Sequence, residues 1–289
     1  MSGGRIAVNP IQYWAEAGRT KKVLDQAFRE LSAIGFTAVK ADIPDGLTPK
    51  EYLSWLDGFG LVPSTSLFSS PFDETIDIAA ETERAKRFAA DQVALGLDRT
   101  MVSSVAVPAR MDRPAVGADF SRSRLDLAIE NCGVICQVLQ TEGLRPLHHS
   151  HVGGVFETET EITALLDGLG VDLIGVGADT GHLRWAGVDP AAFLSRYADR
   201  VGALHLKDVF ADFLDGRAGD ATYREQAGSK RLWAEPGLGV IDFDAVLAAL
   251  PTDYDGDFMI EVDEPSTPTK VESHQISYAW AERTFLGAS

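Results

Sequence analysis

Cysteine is scarce in this chain, two residues in 289. Disulfides cannot staple a fold of that length, so a buried core must hold it. Long apolar runs are missing as well: none approaches the roughly 18 residues that cross a bilayer, and no membrane association is expected. Met1 to Pro10 hold one Arg and no long apolar stretch, so no secretory leader is expected. Basic charge is short. The 26 Lys and Arg against 43 Asp and Glu leave a net charge of −17. Such a chain repels phosphate backbones and argues against nucleic-acid binding, which rests mostly on Lys and Arg. No Pro/Ser-rich linker divides the chain, and residues 1–289 are expected to form a single domain. What remains is ordinary globular composition, 45% hydrophobic and 24% charged. The expectation is an acidic, soluble, cytoplasmic protein.

Short β-branched runs alternate with helical stretches from end to end. Strands are expected at 5–9, 37–41, 61–68, 100–107, 144–149, 173–179, 201–207 and 258–262. Helices are expected at 20–34, 49–59, 74–95, 121–141, 159–166, 190–198, 243–250 and 268–285, with Gly35 and Gly96 as stops. Eight strand–helix units of about 36 residues match the unit size of a (β/α)8 barrel. The strands are short apolar runs, as in a parallel sheet buried on both faces. A long polar segment at 209–234 follows the seventh strand. On alternation alone a doubly wound open sheet is an equal alternative. The Gly-rich phosphate fingerprint is lacking after the first strand; Gly3 and Gly4 precede it.

Histidine carries the chemical signal. Five of the six lie between His148 and His205. His148, His149 and His151 follow the fifth strand, His182 follows the sixth, and His205 lies in the seventh. In a barrel, the C-terminal strand ends build the active-site face. Glu157 after the fifth strand, Asp179 ending the sixth and Glu261 in the eighth bring acids to the same rim. One candidate ligand per consecutive strand makes a mostly oxygen site. That suits Mn²⁺, with Co²⁺ or Mg²⁺ as alternatives, better than a thiolate-rich structural zinc site.

The motifs His149-Ser150-His151-Val152-Gly153 with Glu157-Thr158, Asp179-Thr180-Gly181-His182, His205-Leu206-Lys207-Asp208 and Ile260-Glu261 resemble the xylose-isomerase-like TIM barrels, the sugar phosphate isomerase/epimerase family. The resemblance covers nearly the whole chain. It implies one divalent ion held by Glu157, Asp179, His205 and Glu261. Within the family, Asn9-Pro10-Ile11-Gln12-Tyr13-Trp14 and the segment ending Pro236-Gly237-Leu238-Gly239 look like inosose dehydratases. Those enzymes usually carry Glu where this chain has Lys40, which points to a different substrate.

The expected reaction removes a proton beside a carbonyl of a keto-cyclitol or keto-sugar. Glu157, Glu261 and His151 are the candidates that move it. Lys40, His149, His182, Lys207 and Trp14 are expected to bind substrate, with Phe68 and Trp185 as further walls of a sugar pocket. Lys207 is alternatively the ion-pair partner of Asp208, and Lys40 that of Asp42. β-Elimination is favoured by the resemblance. Isomerisation or epimerisation, cleavage of a 3-keto-glycoside, and a non-catalytic partner subunit are the alternatives. A homo-oligomer or a partner chain is left open. An endonuclease is disfavoured by the −17 charge. Cys132 and Cys136, four apart on a helix, are expected to be small buried thiols.

Overall fold

Nine strand segments form one sheet whose two ends are the same piece of chain. The computed structural model describes residues 4–15, 17–214 and 219–285. In chain order the strands are β1 (Ile6–Val8), β2 (Ala38–Lys40), β3 (Val62–Ser64), β4 (Ser66–Ser70), β5 (Arg99–Ser104) and β6 (Arg145–His148). They continue as β7 (Gly175–Asp179), β8 (Val201–Leu206), β9 (Asp208–Val209), β10 (Trp233–Ala234) and β11 (Phe258–Ile260). The sheet runs β3-β2-β1-β11-β8-β7-β6-β5-β4, parallel at each pairing. Only Thr65 separates β3 from β4, so that stretch closes the ring at one barrel position. The chain is an α/β barrel of eight positions with helices outside; the open-sheet alternative falls.

Side-chain alternation explains what the strands deliver. Val8, Val39, Ile260 and Leu206 join the large core shared with the helices. The intervening Ala7, Ala38 and Met259 pack with one another inside the barrel, as do Met101, Leu147 and Ala203. A Cβ on Gly177 would meet Met101 and Leu147, so that position also faces in. Two residues further along, alternation puts Asn9, Lys40, Ser103, His149, Asp179, His205 and Glu261 in the next inward layer. An apolar floor thus carries a polar ring at the C-terminal ends of the strands.

Helix ends are set by local chemistry. Thr20, Thr48, Ser121 and Thr158 accept the amide three residues on and start helices Lys21–Ile34, Pro49–Asp57, Arg122–Thr141 and Glu159–Leu169. Each expected start is met within one residue. The helix expected from 74 begins at Ile78, because Asp77 caps it through the Ala80 amide. Gly35, at φ 126°, stops the first long helix. Among the described residues, short helices at Ile11–Trp14, Pro108–Asp112, Thr180–Trp185 and Tyr223–Ala227 were not expected from periodicity. No helix of the described residues is long and apolar enough to cross a membrane.

The polar segment after β8 contains structure of its own. β9 and β10 pair antiparallel, Asp208 facing Ala234 and Val209 facing Trp233. The Asp208 carboxylate accepts from the amides of Val209, Gly237, Gly239 and Ile241 at 2.8, 3.0, 2.8 and 3.1 Å. It shapes the returning loop and makes no pair with Lys207, contrary to the sequence alternative. Residues 215–218 of this segment lie outside the described ones.

Candidate metal centre and active site

Asp179 closes β7 and opens helix Thr180–Trp185, its Oδ1 accepting the His182 amide at 2.9 Å. Its Oδ2 is buried with no hydrogen-bond partner, as are both ring nitrogens of His205 on β8. His205 Nδ1 lies 3.0 Å from Glu261 Oε2 and 3.8 Å from Asp179 Oδ2, out of hydrogen-bond alignment. His149 follows β6, and its Nδ1 stands 3.1 Å from the Gly177 carbonyl. A carbonyl only accepts, so Nδ1 carries the hydrogen and Nε2 keeps its lone pair. His149, Asp179 and His205 present ligand atoms within 4.8 Å of one another. Glu261 adjoins this trio through His205 and is oriented by Asn9 Nδ2, 2.5 Å from its Oε2.

Glu157 is not in this group. Its Oε1 accepts the Gly117 amide at 2.8 Å, and its Oε2 accepts those of Gly153 and Ala115 at 2.8 and 3.3 Å. Burial pushes its pKa up, opposed by those amides and by Arg110. It ties a loop in which Ala115 sits at φ 64°, unusual for a residue with a side chain. At the fifth barrel position the imidazole of His149 stands where the sequence reading expected a carboxylate.

The charge in the ring is mostly paired. Lys207 is fully buried, its Nζ 2.9 Å from Glu261 Oε1, 3.0 Å from Asp263 Oδ2 and 3.2 Å from Asp179 Oδ2. Burial disfavours its charge, but Asp179, Asp263 and Glu261 outweigh this and hold its pKa well above the usual lysine value. Glu261 also resists its burial: Lys207 and His205 hold it well below the ordinary carboxylate range. His205 is pushed up to about 9, Glu261 and Asp179 overcoming desolvation. Asp263 goes the other way. Desolvation, with Glu261 and Asp179 beside it, pushes it up to about 7 against the pull of Lys207.

His151 and His182 stand together above this layer, ring centroids 3.8 Å apart. His151 Nδ1 is 2.7 Å from the Val152 carbonyl, which leaves its Nε2 with a lone pair. His182 Nδ1 accepts the Val152 amide at 3.3 Å, so its Nε2 bears the hydrogen, 3.7 Å from Asp263 Oδ2. Desolvation keeps both rings neutral. Trp185, Tyr223 and the fully buried Trp233 continue the aromatic wall, Tyr223 lying parallel to the His151 ring within 9°. Beside Asp263 a cavity of about 460 Å³ is lined by Gln12, Glu30, Pro265 and Lys270 among others.

Other expected residues have partners of their own or lie outside the ring. Lys40 Nζ pairs with Asp42 at 2.8 Å. Trp14 lies under the Arg19 guanidinium, 3.9 Å from its ring centre. Phe68 points out of the barrel into the helix-packed core, away from the polar ring. His148 faces Phe156 outside the barrel, burial holding its pKa at about 3. Cys132 and Cys136 are both buried, their sulfurs 3.9 Å apart. Sequence reasoning missed Asp263, Tyr223 and Trp233, and gave Asn9 no role. The spacing Glu261–Asp263 was the available signal, since residues two apart on a strand share a face.

The donors present suit a divalent ion. Two imidazoles and two carboxylates converge, and buried atoms among them have no hydrogen-bond partner. The two His205 nitrogens are such orphans, at about 1–3 kcal/mol each, and a cation relieves that cost.

Residues 28–282 match the model of the xylose isomerase-like TIM barrel family, and the chain belongs to that family. It is 24% identical over 268 residues to an inosose dehydratase of Geobacillus kaustophilus, covering 91% of this chain and 86% of that one. It is 28% identical over 233 residues to an inosose dehydratase of Bacillus cereus, covering 77% and 73%. Solved structures share the fold. The IolI protein with a bound zinc atom has a TM-score of 0.71 at 14% identity, covering 99% of each chain. The probable 3-DHS dehydratase AsbF of Bacillus anthracis scores 0.68 at 14% identity, covering 96% and 98%. A D-allulose 3-epimerase from Methylomonas sp. in complex with D-allulose scores 0.70 at 14% identity, covering 98% of each.

Proposed function

We propose that this chain is a divalent-metal-dependent carbohydrate enzyme. In this reading it takes a proton from carbon beside the carbonyl of a keto-cyclitol or keto-sugar and eliminates water, as an inosose dehydratase-like lyase. The reading rests on one observation: buried His149, Asp179, His205 and Glu261 converge from consecutive barrel positions, and both ring nitrogens of His205 among them have no hydrogen-bond partner. The inosose dehydratase relatives support the choice of elimination.

His149, Asp179, His205 and Glu261 would hold the ion, with Mn²⁺, Co²⁺ or Zn²⁺ suiting two imidazoles better than Mg²⁺. The ion would supply Lewis acidity to the carbonyl and a neighbouring hydroxyl. Glu157 is not in our ligand set, because its oxygens already serve three loop amides.

His151 is the base. Its Nε2 lone pair is free and its ring is neutral near pH 7. The α C–H bond breaks, its proton goes to His151 and its electrons form the C=C bond. The β C–O bond breaks, and the departing hydroxide takes a proton from Asp263 and leaves as water. Asp263 suits the task, since a carboxyl near pKa 7 still holds protons at neutral pH. The stacked His182 donates its Nε2–H to a substrate oxygen. Lys40, Lys207 and Trp14 remain substrate contacts in this proposal, Lys40 through the end of its pair with Asp42.

The test is incubation of the chain with Mn²⁺ and a keto-cyclitol or 3-keto-sugar in D₂O. An enone product, with deuterium from solvent in recovered substrate, is expected. Deuterium in an epimer or isomer without enone selects that reaction instead. Turnover that gives neither an enone nor any exchange sinks the proton-abstraction reading.

A further inference from the structure

We propose that Lys207 is a built-in counter-ion of the metal site: its ammonium occupies the acid cluster when the ion is absent and moves off when the ion arrives. This rests on the metal reading above. Its Nζ contacts Asp179, Glu261 and Asp263, at 3.2, 2.9 and 3.0 Å. Two of those acids are in our ligand set, so the same carboxylates serve the ammonium and the ion in turn. The lysine backbone is fixed, its amide and carbonyl both bonded to Thr180 Oγ1 at 3.0 and 2.7 Å. Only the side chain is left to move.

The stem runs in a cradle made by a missing side chain. A Cβ on Gly181 would lie 2.7, 2.9 and 3.0 Å from Lys207 Cγ, Cδ and Cβ. Gly181 sits in helix Thr180–Trp185, where Ala is intrinsically preferred. The glycine therefore answers to the lysine stem. The face of Trp233, 4.8 Å from Nζ, offers the displaced ammonium an aromatic surface, and Asp263 gives it a carboxylate outside the ligand set. Without such a cation, two buried carboxylates and Asp263 would face one another and the empty site would resist folding.

The test is calorimetric titration of the metal-free chain with Mn²⁺, for the wild type, Lys207→Met and Gly181→Ala, with thermal melts of each metal-free protein. Lys207→Met is expected to bind Mn²⁺ about tenfold or more tightly, because no resident cation has to leave. Its metal-free form is expected to melt lower. Gly181→Ala keeps every charge yet crowds the stem, so a gain in affinity between the two is expected. A wild type that binds one ion, with Lys207→Met equal or weaker, overturns this inference alone. A wild type that binds none of Mn²⁺, Co²⁺ and Zn²⁺ overturns the metal reading with it. Should Lys207→Met not fold, ¹⁵N-lysine-labelled wild type decides. Zn²⁺ must shift the resonance of the buried ammonium, and an unmoved resonance at saturation overturns the proposal.

Discussion

At the scale of single residues, the exchange of His149 for Glu157 matters most. Both lie just past the fifth strand, and both are chemically competent ligands. Which one faces the cluster is decided by alternation: Leu147 points into the barrel, so His149 does too. Glu157 stands eight residues further, its carboxylate captured by the Gly153 amide of the turn before it and by the Gly117 amide of a separate loop. Loop direction of that kind leaves no periodic mark in a sequence, whereas Asp179, His205 and Glu261 lie on or beside strands and were legible. We expect His149→Ala to lose most of its bound Mn²⁺ and Glu157→Gln to keep about one ion per chain, as measured by elemental analysis after gel filtration. The opposite pattern returns Glu157 to the ligand set. His151→Ala should lower turnover by about 10²–10⁴-fold while metal content stays unchanged, the usual loss for a general base. Loss of the metal in that variant means the ring belongs to the coordination sphere.

At the scale of elements, the eight barrel positions and the eight expected helices were legible because each has a local cause. Thr20, Thr48, Ser121 and Thr158 cap, and β-branched runs alternate with periodic helices. The short helix Thr180–Trp185 was not legible, since its cap is Asp179, which the motif reserves for chemistry. The order in the segment after β8 was hidden for another reason. It is held by one carboxylate reaching across about 30 residues to loop amides, Asp208 to Gly237, Gly239 and Ile241. The Gly239 backbone passes so close that a Cβ there would lie 2.3 Å from Asp208 Oδ1. Asp208→Ala leaves these amides facing a void. It should destabilise the chain by about 1–3 kcal/mol, read from urea melts, and raise the proteolytic sensitivity of 208–242. A neutral effect on both would mean that the segment is held by the buried Trp233 and Leu232 alone.

At the scale of the whole molecule, the barrel concentrates unlike charges where its eight positions converge, inside a chain that is acidic overall. Asp179, Glu261 and Asp263 face Lys207 and His205, all buried except the partly exposed Asp263. Stability and metal binding must then respond to pH together. His205 titrates at about 9 in the metal-free fold, against 6.5 ordinarily. A raised folded value means its contribution is fully present below pH 6.5 and is lost as pH rises through 9. Metal binding runs in the opposite sense, because an imidazole must shed its proton to ligate, so affinity rises over the same interval. Saturation at a hundred times Kd adds about 2.7 kcal/mol. For a chain of this length that is about 4 °C in Tm. The gap between melts in Mn²⁺ and in EDTA should therefore widen from pH 6 to pH 9, toward about 4 °C or more at fixed Mn²⁺. The gap is the proper readout, since groups that titrate alike in both forms cancel from it. A gap independent of pH would show that no proton leaves on binding, and His205 would then lie outside the coordination sphere.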